Sequence, residues 1–324
     1  MELYDSSEEF ARRGRSPVVA AVGIFDGVHV GHQQLMRKAC EIAKAARAAP
    51  LVYTFRPHPV HLLSPEQCPK LLTTPEQKLR HIGALGIEAT VVESFTLEFS
   101  KQTPRDFFER VIRDRLGAKA VVVGYDFTFG MHRQGTIETF EELGREAGVQ
   151  VSVVPAVFAG ETLVSSTVIR SMVAAGEVAC AAELLGRPYE IVGSVIRGRG
   201  FGTTLAARTA NLDLASELAP KDGVYVTRTL VHEGDYDFGR ATAFPSVTSI
   251  GDNPTFADNP HSVETHLIDA EVNLKGKLAS IEFLEHMRDQ ARFASVDELR
   301  AQIHRDIDAA RDHHRRQEGR NGKG

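Results

Sequence analysis

Cysteine is scarce. The chain of 324 residues holds three, Cys40, Cys68 and Cys180, scattered, odd in number and without a Cys-x-x-Cys pair. That pattern argues against a disulfide framework or a structural zinc site and suits a reducing compartment. Long apolar runs are missing too. None approaches the roughly 20 residues of a membrane span, and the acidic start Met1-Glu2-Leu3-Tyr4-Asp5 leads into no run of signal-peptide length. A cytoplasmic protein with no membrane partner is expected. Basic residues do not predominate: 38 Lys and Arg against 43 Asp and Glu leave a net charge of −5. Nucleic acid is therefore not the expected partner. Internal repeats and low-complexity segments are absent as well. What remains is an ordinary globular composition, 42% hydrophobic and 25% charged, at a length that predicts two domains, each with its own core.

The first half alternates strand and helix patterns. Val18 to Val22 reads as a strand, and His32 to Ala46 as a helix with Leu35, Ala39, Ile42 and Ala46 on one stripe. Strands follow at Leu51 to Phe55, Ile87 to Val92, Lys119 to Val123 and Val149 to Val157. Helix starts are signalled by Thr74-Pro75 and Thr103-Pro104, and a further helix by Ile137 to Glu146. Repeated β-α-β units imply a Rossmann-like parallel sheet with helices on both faces and ligands at the carboxyl ends of its strands. After Gly186-Arg187-Pro188 short strands take over: Tyr189 to Ile196, Gly223 to Leu230, Ala241 to Ile250, Ser262 to Ile268 and Leu278 to Leu284. They predict a small antiparallel β-barrel, closed by a helix from Val296 to His313. The domains expected are 1–186 and 187–314, with 315–324 a frayed tail.

The most informative stretch is Gly23-Ile24-Phe25-Asp26-Gly27-Val28-His29-Val30-Gly31-His32. A strand that turns through glycines into a helix aims backbone N–H groups and the positive end of the helix dipole at one spot, which suits a phosphate. His29 and His32, three apart, face one way on a helical turn and can each offer an N–H to a phosphate oxygen. Gly27 and Gly31 leave room for a nucleotide. The stretch resembles the His-x-Gly-His nucleotidyltransferases, and its fuller form Gly-x-Phe-Asp-Gly-x-His-x-Gly-His is similar to the bacterial bifunctional riboflavin kinase/FAD synthetase family.

Two further segments carry that resemblance. Gly124-Tyr125-Asp126-Phe127-Thr128-Phe129-Gly130 matches the family's Gly-x-Asp-Phe-x-Phe-Gly; Asp126 either binds the nucleotide, orients magnesium, or simply forms a turn. In Ser165-Ser166-Thr167-Val168-Ile169-Arg170 a hydroxyl-rich helix start precedes an arginine one turn on, a pairing suited to a triphosphate. The resemblance implies in-line attack of an FMN phosphate oxygen on the α-phosphorus of ATP, with Mg2+ bridging the phosphates. His29 and His32 would stabilise the α-phosphate, and Arg170 with Ser165–Thr167 the leaving pyrophosphate. Gly23, Phe25, Asp26, Gly27 and Gly31 would line the ATP site. His58, in Arg56-Pro57-His58-Pro59, matches a segment near the flavin, although the stiff prolines are themselves a structural reason for it.

The second half carries Thr209-Ala210-Asn211, similar to the family's Pro-Thr-Ala-Asn kinase signature. In extended chain Thr209 and Asn211 project to one side and can offer oxygens to one magnesium ion. Gly198, Gly200 and Gly202 would let backbone N–H groups approach a second ATP. Glu264, in Val263-Glu264-Thr265-His266, matches the family's base for the ribityl hydroxyl; the plain alternative is a glutamate on a wet strand face. The chain departs from the family where Gly and Pro become Ala206 and Arg208. The function implied is riboflavin to FMN to FAD, by a monomer or weak homo-oligomer acting on riboflavin, FMN, FAD and ATP. The alternatives are an FAD synthetase whose barrel only binds flavin, and an adenylyltransferase for another acceptor, which would need no barrel.

Overall fold

The computed structural model describes residues 1–14, 17–196, 209–216, 218–234, 240–251 and 262–321. Contacts divide the chain into two compact units, Met1–Lys70 with Pro75–Ser165, and Leu71–Thr74 with Ser166–Gly324.

The first unit is built on six parallel strands, β1 (Glu2–Tyr4), β2 (Val18–Val22), β3 (Ala49–Arg56), β4 (Ala89–Ser94), β5 (Ala118–Gly124) and β6 (Gln150–Val154), in the order β1-β4-β3-β2-β5-β6. All of β2 is buried. Val18, Ala20 and Val22 join one core cluster while Val19 and Ala21 join another, so both faces of the sheet are covered by helices, as the uninterrupted apolar run requires. α2 (Val30–Ala46) lies on the second face with Leu35, Met36 and Ala39. The first face carries α1 (Ser7–Arg13) and the Phe-rich helices: α5 (Pro104–Phe107), opened by a Thr103/Asp106 capping box, its π-helical continuation Phe108–Arg115, and α6 (Ile137–Ala147). α3 (Pro59–Leu63) and α4 (Pro75–Gly83) follow β3. β1 and α1 escaped the sequence reading because they are short and carry little periodicity. β6 ends earlier than expected, at Val154 before Pro155, which has no N–H to donate; the chain then makes a small hairpin, β7 (Phe158–Ala159) and β8 (Thr162–Leu163).

In the second unit α7 (Ser166–Ala175) and α8 (Val178–Leu185) precede a closed six-stranded barrel. Its strands are β9 (Tyr189–Ile196), β10 (Thr209–Leu214), β11 (Gly223–His232), β12 (Ala241–Gly251), β13 (Ser262–Leu267) and β14 (Leu278–Arg288). β10 was expected only as extended chain; it closes the barrel by pairing with both β9 and β13. The division of contacts after Ser165 differs from the boundary expected at Gly186. α8 packs on β14 and β9, and Lys221 N–H donates to Val173 O, so these helices are built into the barrel unit. The expected frayed tail is corrected in part as well. The last helix, α9 (Val296–Asn321), runs on through Asn321. It is docked by Ile303, Ile307 and Ala310 against Val224, Val226 and Val247. Beyond them His314 Nε2 meets Thr227 O at 3.0 Å, and Arg311 pairs through two nitrogens with Asp269 at 2.9 and 3.0 Å.

Alternation along β11 puts valines outward under α9 and threonines inward. Inside, five buried hydroxyls close a ring: Thr227–Ser246 2.8 Å, Ser246–Thr229 2.8 Å, Thr229–Thr265 3.1 Å, Thr265–Thr248 3.0 Å and Thr248–Thr227 2.8 Å. A hydroxyl donates once, so a cycle in which each donates to the next satisfies every proton without water. Thr248→Val keeps the volume and leaves two ring neighbours short of a partner. It is expected to destabilise the protein by about 1–3 kcal/mol in urea unfolding, where an apolar filling of the same site would cost little; an unchanged midpoint would show that the ring contributes nothing.

Candidate active site

The first candidate site sits where the sheet order reverses. β2 pairs with β3 on one side and β5 on the other, so the loop after β2, carrying Gly23 to His29, and the loop after β5, carrying Gly124 to Gly130, open side by side at the carboxyl edge, the usual crevice of such sheets. Strand position alone thus brings two of the sequence motifs together.

The loop after β2 is tightly wound. Phe25 (φ 57°), Gly27 (φ 80°) and Val28 (φ 40°) all lie in the left-handed region, which is costly for a β-branched residue. Phe25 and Val28 are held there by burial in the second core cluster. Gly23 is glycine because a Cβ would stand 2.8 Å from the Phe25 ring, and at Gly31 a Cβ would stand 3.2 Å from the His29 ring. The room attributed to a nucleotide at Gly31 is thus taken by His29. Helix α2 begins at Val30, one half-turn before the expected His32. His29 is its N-cap, and the His29 Nδ1 accepts from the His32 backbone N–H at 3.3 Å. A neutral His29 ring then carries its proton on Nε2. The two imidazoles are stacked, 3.5 Å between centroids and 18° between planes, and Phe25 meets His32 edge-on. His32 Nδ1 is buried with no partner among the described residues. Burial pushes the His32 imidazole well below its usual range, and the neighbouring His29 and Lys78 push it the same way. A buried ring nitrogen without a partner, over the first turn of a long helix, is a site prepared for an anion.

The other predicted residues are placed as follows. Asp26 is buried in the loop. Asp126 is exposed in the turn after β5, with Oδ1 against the Cα side of Gly124, and Phe127 N–H closes the turn onto Gly124 O at 3.1 Å. Phe127 and Phe129 face the other way and pack on Phe140 in the core, so this motif's aromatics anchor the loop. His58 acts locally, as a helix cap. Its Nδ1 accepts from Val60 N–H at 3.2 Å at the start of α3. Ser165 is the last residue of the first compact unit; Ser166 opens α7 in the second, with half-buried Arg170 one turn on. Lys78, which the sequence reading passed over, has its Nζ 3.4 Å from both Ile24 O and Thr54 Oγ1. Its only sequence signal was its position one turn after the Thr74-Pro75 helix start.

The second candidate site lies on the barrel wall. Asn211 stands opposite Glu264 and Thr209 opposite His266 in the β10–β13 register. Thr209 Oγ1 donates to Glu264 Oε2 at 3.3 Å, and Ser262 Oγ to Glu264 Oε1 at 3.3 Å. Thr265 points into the hydroxyl ring, so its neighbour Glu264 faces outward, half-buried. A cavity of about 460 Å³ adjoins Thr209, lined also by Ala210, Thr265 and the segment Ala270 to Lys275; Glu264 and Asn211 are not among its lining residues. Carboxylate, hydroxyl and amide oxygens on adjacent strands suit a hard cation carried in with a nucleotide, since such an ion takes few protein ligands and several from phosphates. Among the described residues no cluster of three or more His, Cys, Asp or Glu could hold a metal by itself. Gly198, Gly200, Gly202, Ala206 and Arg208 lie outside the described residues.

Each half of the chain matches a known family. Residues 12–168 match the family described as FAD synthetase and residues 185–314 the family described as riboflavin kinase. The chain belongs to the bifunctional riboflavin kinase/FMN adenylyltransferase family. The Escherichia coli (strain K12) protein of that name is 31% identical over 312 residues, covering 96% of this chain and 97% of that one. The Bacillus subtilis (strain 168) protein is 35% identical over 294 residues, covering 89% and 90%. A crystal structure described as a macrolide-efflux protein from Streptococcus pneumoniae shares the fold, with a TM-score of 0.84 and 29% identity over 96% of this chain and 99% of that one. Among the described residues no helix is long and apolar enough to cross a membrane. The family membership sets the two activities; the roles of individual residues are a separate matter.

Proposed function

We propose that the two activities of this family member run through the residues assembled above, adenylyl transfer at His29 and His32 and phosphorylation at Glu264. The observation that carries the first is the stacked histidine pair with its unpartnered buried nitrogen. The FMN phosphate is largely ionised at neutral pH and needs no general base, so catalysis rests on positioning and charge stabilisation. His29 donates from Nε2 and His32 from its ring to the α-phosphate as charge grows. Gly23, Phe25, Asp26, Gly27 and Gly31 form the loop that presents them. Arg170 and Ser165, Ser166 and Thr167 are assigned to the pyrophosphate, Asp126 to the nucleotide and His58 to the flavin end, on the family motifs alone. At the second site Glu264 takes the proton of the attacking ribityl hydroxyl, help that an unactivated alcohol requires. Thr209 and Asn211 would hold the cation, and Gly198, Gly200 and Gly202, outside the described residues, are assigned to the nucleotide on the family motif alone. Magnesium, when bound, supplies charge neutralisation of the phosphates.

The functional division remains 1–186 and 187–314. A monomer or weak homo-oligomer working in the cytoplasm goes with this reading, supported by three free thiols. Incubating the protein with riboflavin, ATP and magnesium and resolving FMN from FAD tests it. FMN appearing first and FAD second is expected; FAD from added FMN but no FMN from riboflavin would leave the barrel a flavin-binding module.

A further inference from the structure

Near His32 lies a cation to which the mechanism above gives no role. Lys78 reaches from α4 to the start of the loop after β2, where Nζ lies 3.4 Å from Ile24 O and 3.4 Å from Thr54 Oγ1. Thr54, fully buried on β3, itself donates to Ile24 O at 3.0 Å. Three elements therefore meet at this ammonium, directly before the positive-φ residues Phe25, Gly27 and Val28. An ammonium has three protons and these two contacts, both at 3.4 Å, engage two of them. The charged and titratable groups that face it are Asp26, Arg56 and His32. With both imidazoles neutral, two cations, Lys78 and Arg56, stand with one carboxylate, Asp26, near a buried, unpartnered ring nitrogen. A tether for the loop needs only a hydrogen-bond donor. A charge at this depth is costly, and burial, reinforced by Arg56 and opposed by Asp26, brings Lys78 down to about 8.

We propose that Lys78 is a positioning residue of adenylyl transfer: it holds the Ile24–Val28 turn in its wound form and places a positive charge near His32, where the α-phosphate gathers negative charge. The proposal rests on the assignment of His29 and His32 to that reaction. Because the charged form is the working one, kcat/KM for FMN adenylylation falls as pH rises through about 8.

The test uses the full-length protein, with FAD formation from FMN and ATP followed from about pH 7 to about pH 9.5 and riboflavin phosphorylation as an internal control of folding. Lys78→Met is expected to lower kcat/KM near neutrality by roughly 10- to 100-fold, short of the loss of a direct donor, to abolish the alkaline fall, and to phosphorylate riboflavin normally. A variant with the native rate, or one slower but keeping the alkaline fall, overturns the proposal. Should the variant not fold, the native protein decides alone: a flat profile across that range overturns it. His29→Asn run in parallel separates the two levels, since a normal rate there sinks the histidine assignment itself, whereas a large loss there beside a native-like Lys78→Met sinks only the proposal for Lys78.

Discussion

His29→Ala and His32→Ala are each expected to reduce FMN adenylylation by about 10²–10³-fold, the usual effect of losing one donor aimed at developing phosphate charge. Riboflavin phosphorylation should be untouched, because Glu264, Thr209 and Asn211 stand on barrel strands in the other compact unit. The two histidines are not equivalent. His29 also caps α2 through Nδ1, so its alanine variant loses about 1 kcal/mol of helix stability along with the donor. His29→Asn separates the effects: its side-chain oxygen can accept from the same backbone N–H, so stability should hold while adenylylation falls. His32 has its first-turn N–H engaged by His29 and its Nδ1 without a partner, so His32→Ala should alter catalysis more than folding. FAD formation from FMN and ATP, measured beside FMN formation from riboflavin in the same preparation, checks all three. Near-normal FAD formation by both alanine variants would remove the pair from the mechanism.

Glu264→Gln is the counterpart in the barrel. The amide retains an oxygen to accept from Thr209 or Ser262 and so disturbs the strand pair little, but it cannot take the ribityl proton. Phosphorylation of riboflavin is expected to fall by about 10²–10⁴-fold, the range for a general base, with FMN adenylylation unchanged. A normal rate in this variant would make Glu264 a wet-face glutamate and leave the base to be found elsewhere. The native kinase is itself expected to be weak. On the family resemblance, Arg208 stands where proline, which fixes φ, is usual, and Ala206 where glycine, which carries no Cβ, is usual. The guanidinium can recover part of the loss by pairing with a phosphate. Arg208→Pro with Ala206→Gly should therefore raise the rate of FMN formation. No FMN from riboflavin at any magnesium concentration, in the native protein, would favour the flavin-binding reading of the barrel.

What the sequence by itself determined is the class of each half and the chemistry each motif can perform. The short apolar run Val18–Val22, leading through glycines into a helix-patterned stretch, reads as a strand of a βα unit. The Gly-x-Phe-Asp-Gly-x-His-x-Gly-His and Thr-Ala-Asn stretches name phosphate chemistry because residue type and spacing are local properties, readable without neighbours. The tertiary structure decided which distant residues meet. It set β2 beside β5, so that the histidine loop and the Gly124 loop open together; it paired Asn211 with Glu264 across β10 and β13; and it brought Lys78 under Ile24. It also showed local contacts of Gly31 with the His29 ring and of His58 with Val60 N–H, and joined α7 and α8 to the barrel. Burial, register and the charge around a group are sums over residues remote in sequence, and only the folded chain computes them.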